Sequence, residues 1–268
     1  MDRFEETFRR LAGRGELGVL PYFTVGWPSL DATVSLIAAA VEAGADGLEL
    51  GVPFSDPVAD GVTLQRASQV ALANGATLAY ALDVAARVRP LLSGPIVFMS
   101  YVNPVLAYGV ELFAADAAEA GADGLIVPDL PPEEAGELAA ALERKGLALI
   151  GMLAPTSTAE RVAMVVRRAR GFIYCVSLVG VTGARAALSE GVEVFLGRVR
   201  EATTVPLVVG FGVSRPEHVR QLGRVADGVI VASALADAVE RAPVEGRERV
   251  VRAFVGELKA ASRAARSA

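Results

Sequence analysis

Apolar residues in this chain come in short unbroken runs, and between the runs they return at helical spacing. The runs Gly18–Thr24, Gly47–Leu50, Pro95–Met99, Gly124–Val127, Ala148–Met152, Phe172–Val176, Pro206–Gly210 and Ala226–Val231 carry little or no charge. Runs this short and this apolar suit parallel strands covered on both faces. Helical patterns lie between them, near residues 63–73, 77–90, 110–119, 132–145, 158–169 and 191–202. Ser29 or Asp31 can cap a further helix ending at Ala43-Gly44, and a tail helix starts near Glu245. At the front, Phe4, Phe8 and Leu11 fall on one side of a short helix over Asp2–Ala12.

One joint repeats. Ala43-Gly44-Ala45-Asp46-Gly47-Leu48-Glu49-Leu50 matches Ala120-Gly121-Ala122-Asp123-Gly124-Leu125-Ile126-Val127, with a shorter echo at Ala226-Asp227-Gly228-Val229-Ile230-Val231. Each is a helix stop, a polar turn and an apolar strand, the αβ joint of a repeating unit. About eight such strands predict an α/β fold of the closed kind, a (β/α)8 TIM barrel, with an extra N-terminal helix and an additional helix after strand 2. The alternative, an open doubly wound sheet, lacks its Gly-x-Gly-x-x-Gly after the first strand. Residues 1–268 are read as one barrel domain.

Composition narrows the chemistry. At 53% hydrophobic the chain has ample core material, and no apolar run reaches the ~18 residues of a membrane span. The net charge of -5 offers nucleic acid no basic footprint. Cys175 is the only cysteine, which points to the reducing cytoplasm, and His218 is the only histidine, which excludes a metal site of several histidines. The two lysines, Lys145 at a helix end and Lys259 in the amphipathic tail, do not resemble a lysine buried in a barrel for Schiff-base chemistry.

A barrel keeps its chemistry at the C-terminal ends of its strands. There Glu49 is the one charge in Gly47-Leu48-Glu49-Leu50, and the following loop ends at Asp60-Gly61. A carboxyl raised by burial beside a second carboxylate can form an acid–base pair; a solvated strand end with turn aspartates is the other reading. Later loops carry Gly180-Val181-Thr182-Gly183 and Gly210-Phe211-Gly212, then Ala232-Ser233 opening a helix. Backbone N–H groups of Gly183, Gly212 and Ser233 can converge there on a phosphate, whereas Gly-Phe-Gly alone would be only a tight turn.

The run Leu48–Gly61 resembles the signature of the tryptophan synthase alpha subunit family. Blocks at Met99–Pro104, Val127–Pro131, Ala154–Ser157, Gly180–Arg185 and Gly210–Ser214 follow in the family's order and spacing. The resemblance implies a lyase that splits indole-3-glycerol phosphate into indole and glyceraldehyde 3-phosphate. Glu49 and Asp60 match the catalytic carboxylates, and Tyr174 the tyrosine near the reacting side chain. Tyr22, Met99, Tyr101, Val127 and Phe211 would hold the indole. The segment Leu178–Gly191 would be a lid whose Thr182 reaches Asp60 on closure. Asp56, Pro57, Asn103 and Pro104 match contacts with a beta subunit, expected in an α2β2 heterotetramer. That subunit would carry pyridoxal phosphate, so no cofactor is expected in this chain. Trp27, Val62, Leu178 and Ala232 depart from residues common in the family. Another phosphate-binding barrel of related chemistry, a stand-alone indole-releasing lyase, or a subunit that only activates its partner are the alternatives.

Overall fold

The computed structural model describes residues 2–176, 190–210, 212–263 and 265. The chain opens with α1 (Arg3–Gly13), whose first turn is capped by the Asp2 carboxylate accepting the Phe4 N–H at 2.8 Å. There follow β1 (Gly18–Thr24), α2 (Leu30–Glu42), β2 (Leu48–Gly51), α3 (Val62–Ala73), α4 (Leu78–Val88), β3 (Ile96–Met99), α5 (Val102–Tyr108), α6 (Val110–Glu119), β4 (Gly124–Ile126) and α7 (Gly136–Arg144). The second half comprises β5 (Ala148–Leu149), β6 (Gly151–Leu153), α8 (Ala159–Arg168), β7 (Ile173–Cys175), α9 (Glu190–Ala202), β8 (Leu207–Val209), α10 (Pro216–Leu222), β9 (Gly228–Val231), α11 (Ser233–Arg241) and α12 (Arg247–Arg263).

The strands order as β5-β4-β3-β2-β1-β9-β8-β7-β6, every pairing being parallel. β5 pairs with β4 and β6 with β7, and only Ile150 separates the two. They are two halves of one stave, so nine segments make eight staves and the parallel sheet closes into a (β/α)8 barrel. The extra helix α1 and the two helices α3 and α4 between β2 and β3 stand where the sequence pattern puts them. Short helices α5 and α10 are additional to that pattern.

Side chains inside the barrel form one layer set: Leu20, Tyr22, Val97, Ile126, Ile150, Phe172, Tyr174, Val208 and Ile230 are buried together. α1 closes the floor, because Phe4 and Phe8 meet Phe172 edge to face at 5.8 and 6.3 Å. The opposite strand faces pack against the helices in two larger clusters. Cys175 lies in one of these, fully buried, and burial pushes its thiol up to about 12.

The repeated Ala-Asp-Gly joint has a shared structural task at the floor. Asp46, Asp123 and Asp227 each accept a backbone N–H from the start of a neighbouring strand segment: Val19 at 3.0 Å, Ile96 at 2.8 Å and Leu207 at 2.8 Å. Each returns its own N–H to the carbonyl of that same residue, at 2.9, 2.8 and 2.8 Å. Cations complete the clamps: Lys259 and Arg10 on Asp46, Arg3 and Arg89 on Asp123, Arg200 on Asp227. Lys259 is thus buried, contrary to its place on an amphipathic tail. It sits at the floor, 2.8 Å from both Glu16 and Asp46, far along the strand from any mouth chemistry.

Candidate active site

β2 positions the central carboxyl. Strand alternation turns Gly47, Glu49 and Gly51 inward, with Glu49 in register with Tyr22 on β1 and Val97 on β3. A Cβ on Gly51 would lie 2.0 Å from the Tyr22 hydroxyl, so the missing side chain is the space that Tyr22 occupies. Gly210 does the same for Tyr174, whose hydroxyl a Cβ there would meet at 2.1 Å. Two phenols therefore lie across glycines on adjacent strands, Tyr22 in register with Glu49. The Tyr22 hydroxyl accepts from Thr24 at 3.4 Å, and the Tyr174 hydroxyl donates toward the Gly210 carbonyl at 3.5 Å.

Glu49 is 1% exposed, and among the described residues neither carboxyl oxygen has a hydrogen-bond partner. Burial, reinforced by the nearby Asp60 charge, raises its pKa to about 8. Near neutral pH this shift favours the protonated form of Glu49. Asp60 is 9% exposed, and burial raises it to about 6, with a hydrogen bond from Tyr101 pulling it back. The two carboxyls are thus held in opposite protonation states near pH 7, the arrangement that suits an acid and a charged stabiliser. Burial and the neighbouring carboxylates also push Tyr22 and Tyr174 upward, so both phenols stay neutral.

Asp60 is held by its loop. Its N–H bonds to the Pro57 carbonyl at 3.0 Å, and the Gln65 side-chain amide donates to its carbonyl at 2.9 Å. The Tyr101 hydroxyl accepts the Ala59 N–H at 3.0 Å, and Tyr101 stacks on Phe54 at 5.3 Å. Met99 and Met152 pack on the interior cluster, while Val127, one residue beyond Ile126, is buried on the helix side. Asp129, beyond β4, accepts the Val102 N–H at 2.9 Å and so fixes the start of α5.

Ser233 is the first residue of α11, preceded by Ala232 with no side-chain cap. The first N–H groups of α11 therefore have no acceptor from an N-cap side chain. Gly212 is exposed with φ +66, a left-handed conformation that only glycine adopts freely. Gly183, Thr182, Leu178 and Phe211 lie outside the described residues. Asp56, Asn103, Val58, Val62 and Leu106 are exposed on the same mouth, with Pro57 and Pro104 half-buried beside them. Sequence reasoning missed Gln65, Gly51 and Gly210 as site-shaping residues. Strand alternation gives a signal for Gly51, since 47, 49 and 51 share a face; nothing local marks Gln65. Among the described residues no cluster of His, Cys, Asp or Glu is placed to hold a metal ion.

A closed parallel barrel with two buried carboxyls of raised pKa at its C-terminal mouth defines the class: a (β/α)8 barrel with its ionisable groups gathered at the strand ends. Comparison with known proteins then gives the family. The family model "Tryptophan synthase alpha chain" matches residues 8–263. The tryptophan synthase alpha chain of a Roseiflexus species is 53% identical over 244 residues, covering 91% of this chain and 94% of that one. The alpha chain of Geobacter sulfurreducens is 48% identical, covering 97% and 99%. A solved tryptophan synthase structure from Mycobacterium tuberculosis superposes with TM-score 0.91 at 40% identity, covering 98% of each chain. The chain belongs to the tryptophan synthase alpha chain family.

Proposed function

We propose that the chain cleaves indole-3-glycerol phosphate to indole and glyceraldehyde 3-phosphate by a retro-aldol reaction. The observation that carries this reading is Glu49: buried, without a partner among the described residues, raised to about 8, and set beside an ionised Asp60. The protonated Glu49 carboxyl donates its proton to C3 of the indole ring. Positive charge then develops at the ring nitrogen, and the Asp60 carboxylate accepts its N–H and offsets that charge. The Glu49 carboxylate next takes the proton of the side-chain hydroxyl as the C–C bond breaks. The bonding electrons return to the ring, an aldehyde leaves, and Glu49 ends protonated as it began. The protonated ring is itself the electron sink, which removes the need for a Schiff base.

Tyr174 borders the reacting side chain, and Tyr22, Met99, Tyr101 and Phe211 surround the indole, whereas Val127, expected there from the sequence, faces the helices and is no part of that pocket. The free N–H groups at Ser233, with Gly212 and Gly183, hold the phosphate. The exposed rim bearing Asp56, Pro57, Asn103 and Pro104, with apolar Val58, Val62 and Leu106, docks a beta subunit. Pyridoxal phosphate belongs to that partner, to which indole passes in an α2β2 assembly, and the cleavage chemistry at Glu49 and Asp60 calls for no cofactor in this chain. The cytoplasm, where a lone thiol stays reduced, is the compartment this reading assigns.

Indole release from indole-3-glycerol phosphate, with and without a beta subunit, tests the proposal. Wild type should release indole slowly alone and faster with the partner, and Glu49→Gln should release none. Equal inactivity of both proteins, with equal stimulation of the partner, would make the chain a binding subunit on a lyase scaffold.

A further inference from the structure

α3 and α11 carry the two ends of the proposed substrate site. α3 begins two residues after Asp60, and α11 begins at Ser233. The two helices pack side by side at the mouth through Leu64 and Ala236, both buried in the interior cluster. Two polar ties cross between them. The Thr63 hydroxyl donates to Asp237 Oδ1 at 3.0 Å, and Arg66 pairs with Glu240 one turn further along. The Arg66–Glu240 pair is half exposed and exchanges readily with water. The Thr63–Asp237 bond is part-buried and sits in the first turn of α3.

That first turn lacks its usual partners. Gly61 gives α3 no side-chain cap, and its opening turn holds no acidic residue. The Asp237 carboxylate, reaching across from α11, brings to the positive end of α3 the negative charge its own sequence omits. It bonds the residue three positions from Asp60 while standing one turn inside the helix whose N-terminus faces the phosphate. On the α3 side, Gln65 grips the Asp60 carbonyl. A continuous chain of contacts therefore runs from Ser233 along α11, through Asp237 and Thr63, to the Asp60 loop.

We propose that Thr63 and Asp237 are positioning residues that transmit phosphate occupancy at α11 to the placement of Asp60. The inference rests on the roles proposed for the α11 N-terminus and for Asp60 in the lyase reaction. Its physical sense is that binding energy from the unreactive phosphate end is used to orient the group that meets the indole nitrogen. Such a tie acts on kcat more than on KM, because the phosphate contacts themselves are untouched.

The test uses the full chain and inorganic phosphate as probe, followed by backbone amide NMR. In wild type, phosphate should shift the amides of Ser233 and Ala234 and also those of Gly61 and Val62. In Thr63→Val the Ser233 and Ala234 shifts should persist while those of Gly61 and Val62 fall to less than half. With indole-3-glycerol phosphate, Thr63→Val should lower kcat about tenfold with KM changed less than about twofold, and Thr63→Ser should restore it. Asp237→Asn should give an intermediate loss, since it keeps the acceptor oxygen and removes the charge. Unchanged Gly61 and Val62 shifts in Thr63→Val, or a loss confined to KM, would overturn the inference and leave the lyase reading standing. No phosphate shift at Ser233 in wild type would overturn the phosphate assignment and the inference together, with Glu49-dependent indole release still able to support the lyase.

Discussion

Glu49 shows how one residue divides stability from chemistry. Its pKa of about 8 against an ordinary 4.5 means that the folded chain resists ionising it. At low pH the carboxyl is neutral in both folded and unfolded states and costs nothing. As pH rises above about 4.5 the unfolded chain ionises it and the folded chain does not, so stability drains away until pH passes about 8. Glu49→Gln should therefore be more stable than wild type by at least ~1 kcal/mol at pH 8.5, the gap closing toward pH 5, as urea unfolding would show. The same two groups set the activity profile. The proposed cleavage needs Glu49 protonated and Asp60 ionised, so on that reading kcat/KM for the free protein should fall above about 8 and below about 6. A profile flat from pH 5 to 9 would remove the two carboxyls from the rate-determining chemistry. Glu49 was legible in the sequence because a lone charge inside Gly47–Leu50 has few innocent explanations. Gln65 was not, because its task is a bond to a backbone carbonyl five residues away, which leaves no pattern in residue types.

At the level of elements, the repeated joint explains both why the barrel was readable and what it needs. The helix stop, aspartate and apolar strand mark three of the eight units in sequence, and the reciprocal bonds of Asp46, Asp123 and Asp227 show why an aspartate recurs there. A carboxylate is the one short side chain that can accept a strand N–H and a cation together. Asp46→Asn leaves buried Lys259 with Glu16 as its remaining carboxylate partner, and should cost less than the ~3 kcal/mol of a fully unpaired buried charge in chemical denaturation. Its kcat should stay within about twofold of wild type, because the floor does not touch the mouth. Other elements were hidden for physical reasons. The fifth stave reads as one run over 148–152 but breaks at Ile150, where pairing passes from β4 to β7. That is a register event between strands, with no local signal. α5 and α10 each have only seven residues, too short to show a helical period. Pro216 at the start of α10 was the one local clue.

Across the whole molecule the two barrel ends have different characters. The floor is satisfied, with α1, the aspartate clamps and Lys259 closing it. The mouth is left open in several ways among the described residues: an unpartnered carboxyl, an uncapped helix and an exposed apolar rim. Asp56 stands on that rim, exposed, its carboxylate accepting from the neighbouring Ser55 hydroxyl at 2.5 Å. Asp56→Arg should weaken stimulation by a beta subunit severalfold while basal cleavage stays mostly intact, which titration of the partner into an indole assay would measure. Cys175 offers a different view of the same body. It follows Tyr174 on β7, faces the helices, and is both sealed from solvent and held as a thiol. The native chain should be inert to a disulfide reagent, so the rate of its modification becomes a clock for opening of the barrel wall. Because Cys175 is the only thiol, a single colour change would count those openings with no label introduced, and substrate bound above Tyr174 should slow the clock.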